Sequence, residues 1–392
     1  MARLKSRSLA AVVGAVAASA LMLSACSDNS SASSGATAQG SSTLAASGLP
    51  SLDQVLKGNE STPPTTSPQP AKGKSVWWIS CGQQTQSCAS YAAAGKAAAE
   101  ALGWDFHLAD GNLNQANGYA TAMRTALAAH PDAIVEDAFS CSTVQPELQQ
   151  AKQQGVPVLG LETLDCSDAN SGPSLFTIPM IYSKTYPDNK AWWTGWGAWS
   201  ADFLAADSNG TAKVITSMGQ GDPQFDLLNN GFKSELAKCA GCSIAGDAPW
   251  TVSDLAPNGP WVTALRNSLI KYPDADYVWW PFDTNGVDSG GAKAVLQSGS
   301  KAKVVSGIGT GPGLDLIRSG QMYAEGVARS SDWLSWAAMD EVNRYLNHQP
   351  SVPEGVGFIS IDKTHNLPSA SGQGYQTAVP FEQLYKKAWG VS

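Results

Sequence analysis

The sequence predicts an α/β fold of two Rossmann-like lobes, each a parallel sheet faced by helices. Three observations predict it. From residue 75 onward, short apolar runs alternate with longer amphipathic ones, the βαβ order whose crossovers place helices on both sheet faces. The runs at 133–136 and 157–161 are apolar almost throughout, as strands buried on both faces must be. The alternation also falls into two series, and 392 residues exceed one ordinary domain of ~100–200 residues.

In the first series, a strand at 76–79 precedes an Ala-rich helix at 90–102 that Gly103 ends. A strand at 104–108 and a helix at 115–129 follow, the latter stopped by His130-Pro131. A strand at 133–136, a helix at 144–154 closed by Gly155 and a strand at 157–161 complete it. The second series begins near Asp188 with a helix at 190–206, a strand at 212–217 and a helix at 225–236. A strand at 243–246, a helix at 261–272, a strand at 277–280 and a helix at 288–297 come next. It closes with strands at 303–306, 322–328 and 356–361, alternating with helices at 313–319 and 332–347.

The body is preceded by two segments of different composition. Residues 1–25 carry Arg3, Lys5 and Arg7, then an apolar run at 9–23, and no acid, which is the pattern of a secretory signal peptide. The run is too short to count as a lasting membrane span. It closes on Leu23-Ser24-Ala25-Cys26, which resembles the lipobox of bacterial lipoproteins and implies that Cys26 becomes the lipid-bearing first residue. Residues 26–74 contain no Trp, Tyr or Phe and are rich in Ser, Ala, Thr, Gly and Pro. Such a stretch is expected to be a flexible tether, with at most a helical turn at 52–56, because it buries too little apolar surface to offset its entropy.

Six further cysteines, an even number in an exported chain, favour disulfides. Their spacing suggests Cys81–Cys88 and Cys239–Cys242 as local loops, leaving Cys141–Cys166 at the ends of successive strands. Cys239-Ala-Gly-Cys242 is the alternative redox or zinc motif, but no second Cys pair or nearby His completes four ligands. No metal or cofactor is expected. With 25 Lys+Arg against 33 Asp+Glu, a net charge of −8 and no basic block, nucleic acid is excluded as the main partner.

In open parallel sheets, ligands bind beyond the carboxyl ends of the strands. There the sequence places Glu136 and Asp137, Glu162 and Thr163, Asp283, Thr284 and Asn285, and Arg329. Singly, each acid would serve equally well as a helix N-cap. Together, acids and amides converging on one cleft suit a ligand rich in hydroxyl donors, since a carboxylate accepts two such bonds at once. Trp192, Trp193, Trp196 and Trp199 share one helix, a stripe expected to be core rather than a ligand platform. Gly219-Gln-Gly221 and the glycines at 307–313 fit no nucleotide loop, and the four His are scattered.

Taken in order, these segments resemble the type I periplasmic solute-binding proteins of ABC importers, specifically the ribose- and galactose-binding branch. The resemblance runs from about 75 to 366. It rests on the strand at 76–80, Leu102-Gly103-Trp104, the run Gly155-Val156-Pro157-Val158-Leu159-Gly160-Leu161-Glu162, Asp188-Asn189, Gly231-Phe232, Tyr272-Pro273-Asp274 and Phe282-Asp283. It implies two lobes joined by three chain crossings, near 178–186, 329 and 361–364. The first lobe would comprise 75–182 plus 330–361, and the second 183–329 plus 362–392. It further implies ligand contacts from Asp137, Glu162 and Asp283, with Asn285 beside the last, a hinge contact from Arg329, and a sugar-stacking ring near Trp250.

Two departures bear on the ligand. Where the branch carries paired aromatics after the first strand, this chain has the loop 81–88, whose Gln83, Gln84 or Gln86 would supply amide contacts, Gln84 foremost. Where it carries Gly-Phe-Asp, this chain has Gly307-Ile308-Gly309. Arg329 would pair with Glu162 or Asp283, or receive a ligand carboxylate, and the internal pair is favoured. The implied protein is a lipid-anchored, non-enzymatic monomer on the extracytoplasmic face of the bacterial cell membrane. It would capture a sugar, polyol or sugar acid by lobe closure for an ABC permease. The alternatives are a receptor lobe for a signalling partner and an exported glycoside hydrolase using two of these carboxylates.

Overall fold

The structure, a computed structural model, describes residues 46–391; the signal segment and Cys26 lie outside them. The chain alternates strands and helices as expected. Its strands are β1 (Ser75–Ser80), β2 (Asp105–Asp110), β3 (Ala133–Asp137), β4 (Val158–Leu161), β5 (Lys213–Thr216), β6 (Ser243–Asp247), β7 (Tyr277–Trp279), β8 (Lys303–Ile308), β9 (Ala324–Ala328) and β10 (Ile359–Asp362). Helices α1 (Leu52–Lys57), α2 (Gln86–Leu102), α3 (Gly118–Ala128), α4 (Gln145–Gln154), α5 (Asn189–Asp207) and α6 (Pro223–Leu236) come first. They are followed by α7 (Pro260–Lys271), α8 (Asp283–Gly286), α9 (Gly291–Ser298), α10 (Gly311–Arg318), α11 (Ser331–Leu346) and α12 (Phe381–Trp389).

Two sheets result, one per lobe. The first is parallel, in the order β2-β1-β3-β4. The second has the order β10-β9-β8-β7-β5-β6, parallel except for the antiparallel edge pair β9–β10. Every residue of β3, β4, β7 and β9 is buried, because helices cover both faces. Close packing of α2 on β1 depends on Gly95, where a Cβ would collide with the Trp78 ring. Three disulfides join Cys81 to Cys88, Cys141 to Cys166 and Cys239 to Cys242.

The lobes divide differently from the expected boundaries. β10 pairs with β9 in the second sheet, so the third crossing lies before it, near 352–358, rather than after it at 361–364. The cause is that Glu354 and Val356 donate their amides to Ile181 and Tyr182, which runs the third crossing alongside the first. The expected helix at 288–297 begins only at Gly291, as α9, because Gly290 before it has a φ of 88° that no helix tolerates, and the short α8 precedes it. α12 was not anticipated. Its Phe381, Tyr385 and Trp389 recur at helical spacing and pack on Trp333 and Trp336 of α11, returning the chain to the first lobe.

The largest difference concerns the expected tether. Residues 49–74 lie against the body instead of hanging free. Leu49, Val55 and Leu56 are buried, and α1 carries a full capping box between Ser51 and Gln54. The Pro-rich stretch that follows offers carbonyls, which α11 satisfies: Arg344 donates to Thr66 O, Asn343 to Pro68 O and Asn347 to Gln69 O. Composition misled because a few apolar residues suffice when a partner surface supplies the hydrogen bonds.

Candidate functional site

β4 ends at Leu161, and Glu162 turns away from it with φ of 53°, a left-handed conformation uncommon for this residue type. Surrounding groups hold that turn: the Glu162 amide donates to Tyr182 Oη at 2.7 Å, and its carbonyl accepts from Trp193 Nε1 at 3.3 Å. Its carboxylate is then filled. Arg329 Nε and Nη2, from the end of β9, donate to Oε1 and Oε2 at 2.5 and 2.7 Å. Trp192 Nε1 reaches Oε1 and Tyr91 Oη reaches Oε2, each at 2.8 Å. The guanidinium lies 4.0 Å from the Trp196 ring, and both charged partners are buried.

Burial opposes the charge of Arg329, yet Glu162 and Tyr91 hold its pKa above the usual arginine value. The fork geometry satisfies both carboxylate oxygens, which is what makes a buried pair tolerable. One guanidinium nitrogen, Nη1, is left without a partner.

The acids around this pair have different environments. Asp137, at the end of β3, is fully buried with Oδ1 unpartnered. Burial and then the Glu162 charge push its carboxyl well above the ordinary aspartate range, with Arg329 offsetting part of that rise. Asp283, after β7, is fixed instead: Oδ1 accepts from Ser306 Oγ at 2.8 Å, and Oδ2 from Thr310 N and Oγ1 at 2.7 and 2.6 Å. Asn285 is wholly buried, and neither polar atom of its amide has a partner. Glu325 of β9 sits in register with Ser306 and is likewise buried and unpartnered, its carboxyl pushed up by burial and then by Asp283.

The two lobes meet across these strand ends. Ser140, beyond β3, donates to Asp222 Oδ1 at 2.7 Å, and Asp222 in turn caps α6. A cavity of about 30 Å³ lies between Thr85, Gln86 and Ser87 on one side and Asp283, Thr284 and Thr310 on the other. Phe282, half-buried, is the meeting point of an aromatic wall formed by Trp193, Trp196, Phe225 and Trp250. In the first lobe, Tyr119 stacks on Phe139 at 4.0 Å.

Of the residues expected at the site, Asp137, Glu162, Asp283, Asn285 and Arg329 all stand at the strand ends between the lobes. Glu162 is saturated by the chain's own groups and has no lone pair left for a ligand, which corrects its expected role. Trp250 is 2% exposed, its indole donates to Ser217 O, and Phe225 and Phe282 cover it, so no free stacking face remains. Gln84 is exposed and its amide donates to Asn112 Oδ1, while Thr85, Gln86 and Ser87 line the cavity with Asp283, Gln86 being the expected loop amide found there. Tyr91, Tyr182, Trp192, Trp193 and Trp196 were missed as holders of the ion pair, although the tryptophan stripe announced a special helix. Among the described residues, Cys141, Asp165 and Cys166 alone cluster at metal-ligating distance, and both sulfurs are committed to a disulfide.

Residues 79–350 match the family described as periplasmic binding protein domain. The chain belongs to that family. Its members and structural neighbours bind solutes for transporters and are not enzymes, so the hydrolase alternative falls away. An ABC transporter solute-binding protein from Agrobacterium vitis, solved with α-D-tagatopyranose, superposes with a TM-score of 0.62 at 22% identity, over 78% of this chain and 100% of that one. A second from the same organism, with bound allitol, gives 0.60 at 20% identity, over 75% and 96%. GanP, a glucose-galactose binding protein from Geobacillus stearothermophilus, gives 0.60 at 16% identity, over 75% and 98%. At these identities the likeness is one of fold, the type I periplasmic binding protein fold. Among curated proteins, none matches the chain.

Proposed function

We propose that this protein is the lipid-anchored solute-binding component of an ABC importer, and that its ligand is a neutral polyhydroxylated molecule, a sugar or polyol. The observation that carries the reading is the Glu162–Arg329 pair. It cancels the cation of the cleft internally and leaves Asp137, Glu325 and the Asn285 amide as buried polar groups without partners. Such groups suit hydroxyls, which both donate and accept, and no unpaired cation is left to receive the carboxylate of a sugar acid. Asp137 Oδ1, Arg329 Nη1 and the Asn285 amide are the polar atoms with capacity to spare. Phe282 is the ring best placed to pack on a sugar C–H face. The neighbours solved with allitol and tagatopyranose bind ligands of this chemistry.

The lipobox ending at Cys26 supports a fixed position at the extracytoplasmic face of the membrane. Lobe closure would then present the loaded form to a permease, working as a shift between open and closed states with no covalent step.

Isothermal calorimetry over matched pairs, each polyol or aldose with its corresponding onic acid, tests the ligand class. Binding of a neutral member with the acid at least ~10-fold weaker is expected. Preferential binding of the acid would overturn the reading of Arg329. Fatty-acid labelling that is lost in Cys26→Ser tests the anchor, and co-purification of a permease rather than a sensor kinase tests the output.

A further inference from the structure

The segment 49–71 touches both lobes and the hinge between them. At its start, Leu49 packs with Ala205 and Cys239 of the second lobe, and Asn366 of that lobe donates to Leu56 O at 2.6 Å. At its end, Ser67 donates to Asp340 at 2.5 Å, and Trp104 donates to Ala71 O at 2.8 Å, both in the first lobe. Between these two anchorages lie the hinge contacts. Asn59 N donates to Phe358 O at 2.9 Å and Phe358 N returns to Asn59 Oδ1 at 2.7 Å, a strand-like exchange with the third crossing. Asn59 Nδ2 donates to Tyr186 Oη at 2.8 Å, on the first crossing. Ser61 N adds a bond to Gly355 O at 2.9 Å. One amide side chain therefore bridges two of the segments about which the lobes must turn. The fit is close: a Cβ on Gly357 would collide with Asn59 Oδ1, and one on Gly355 with Thr62 O.

We propose that residues 49–71 form a strap, an additional inter-lobe link that laces the hinge and holds the lobes toward the closed arrangement. The geometry gives the sign. The lobes touch through Ser140 and Asp222 in the same structure in which the strap's bonds to both crossings are made. Separating the lobes turns the first and third crossings against segments pinned at both ends. Opening must then break the Asn59 bonds or pull Leu49 from its pocket. This inference rests on the two-lobe arrangement and not on the identity of the ligand.

The test uses the full mature chain without ligand, so that failure of the polyol reading leaves it intact. Asn59→Ala removes both side-chain bonds to the hinge, and Leu49→Ser loosens the far end without touching the hinge. Small-angle scattering of both variants should show a larger radius of gyration than the parent. Amide exchange at 178–186 and 355–358 should quicken by about tenfold. If Asn59→Ala does not fold, Leu49→Ser alone decides. Unchanged scattering and unchanged exchange in the two hinge segments, with exchange at 59–71 accelerated, would show that the strap is mere covering and overturn the proposal.

Discussion

Glu162 and Arg329, 167 residues apart, face each other in a buried two-pronged ion pair at the junction of the lobes. Each comes from the end of a strand in a different sheet, so the pair is also a bolt between lobes. Tyr91 from the first lobe and Trp192 from the second close its two remaining acceptor positions. It is a structural centre beside which a ligand would bind.

Arg329→Ala should therefore act mainly on stability. It strands a buried carboxylate among aromatic rings, and the expected loss is ~3–5 kcal/mol in chemical denaturation. Arg329→Lys should recover little, because an ammonium cannot span both oxygens or lie flat on Trp196. The double variant Glu162→Gln/Arg329→Met should be more stable than Arg329→Ala, since no uncompensated charge remains. Near wild-type stability for Arg329→Ala would refute this account of the pair.

How far this could be read in advance depended on the length scale of the signal. The strand–helix alternation, the parallel sheets and the acids at strand ends are local patterns, and the structure carries them within a few residues. The pairing of Glu162 with Arg329 was one of three options for that cation, and choosing among them required knowing which strand ends adjoin. Which of the three loop glutamines lies at the cleft follows from the loop's backbone: Gln84 is exposed, while Gln86 lines the cavity with Thr85, Ser87 and Asp283. Trp250 was misjudged for a related reason, since whether a ring offers a free face depends on distant neighbours such as Phe225. The strap escaped notice because its bonding partners lie on α11 and the third crossing, nearly three hundred residues downstream.

A pH signature should come from α11, the helix to which the strap is bonded. Glu341 is buried on α11 with Asp340, Glu354 and Arg344 as its charged neighbours, and Tyr385 bonds Glu354 at 2.5 Å. Burial, reinforced by Asp340, pushes its carboxyl up to about 8. An acid whose folded value exceeds its unfolded value of ~4.3 contributes fully below that pH. The contribution is lost as pH rises toward about 8. Stability should thus decline from pH 5 to 8. Glu341→Gln, which can still accept from Val352 N, should gain ~1–3 kcal/mol over the parent at pH 8, a gain that fades toward pH 5. Parallel stability profiles for the two proteins would contradict this.

Asp283 has two duties that substitution can separate. Its carboxylate ties Ser306 and Thr310 together, fixing the loop that follows β8. Asp283→Ala orphans three donors and should cost ~2–4 kcal/mol of stability while abolishing detectable polyol binding. Asp283→Asn keeps the size but offers one acceptor, so it should fold better than the alanine variant yet bind poorly. Equal ligand affinity in parent and Asp283→Asn would remove Asp283 from the binding surface and leave it a loop fastener.

Ser140 isolates the contribution of closure itself. Its hydroxyl donates to Asp222 across the cleft, a bond made only when the lobes meet. Asp222 keeps its capping bond to Gln224 without it, so Ser140→Ala should leave α6 intact. A neutral-to-carboxylate hydrogen bond is worth ~1.5–3 kcal/mol at most, and it appears only in the closed state. The variant should therefore let the ligand-free lobes separate further, seen as a larger radius of gyration in small-angle scattering, and bind ligand ~10-fold more weakly, chiefly through faster release. A radius of gyration and a ligand affinity both equal to the parent's would mean that this bond does not help to hold the lobes together.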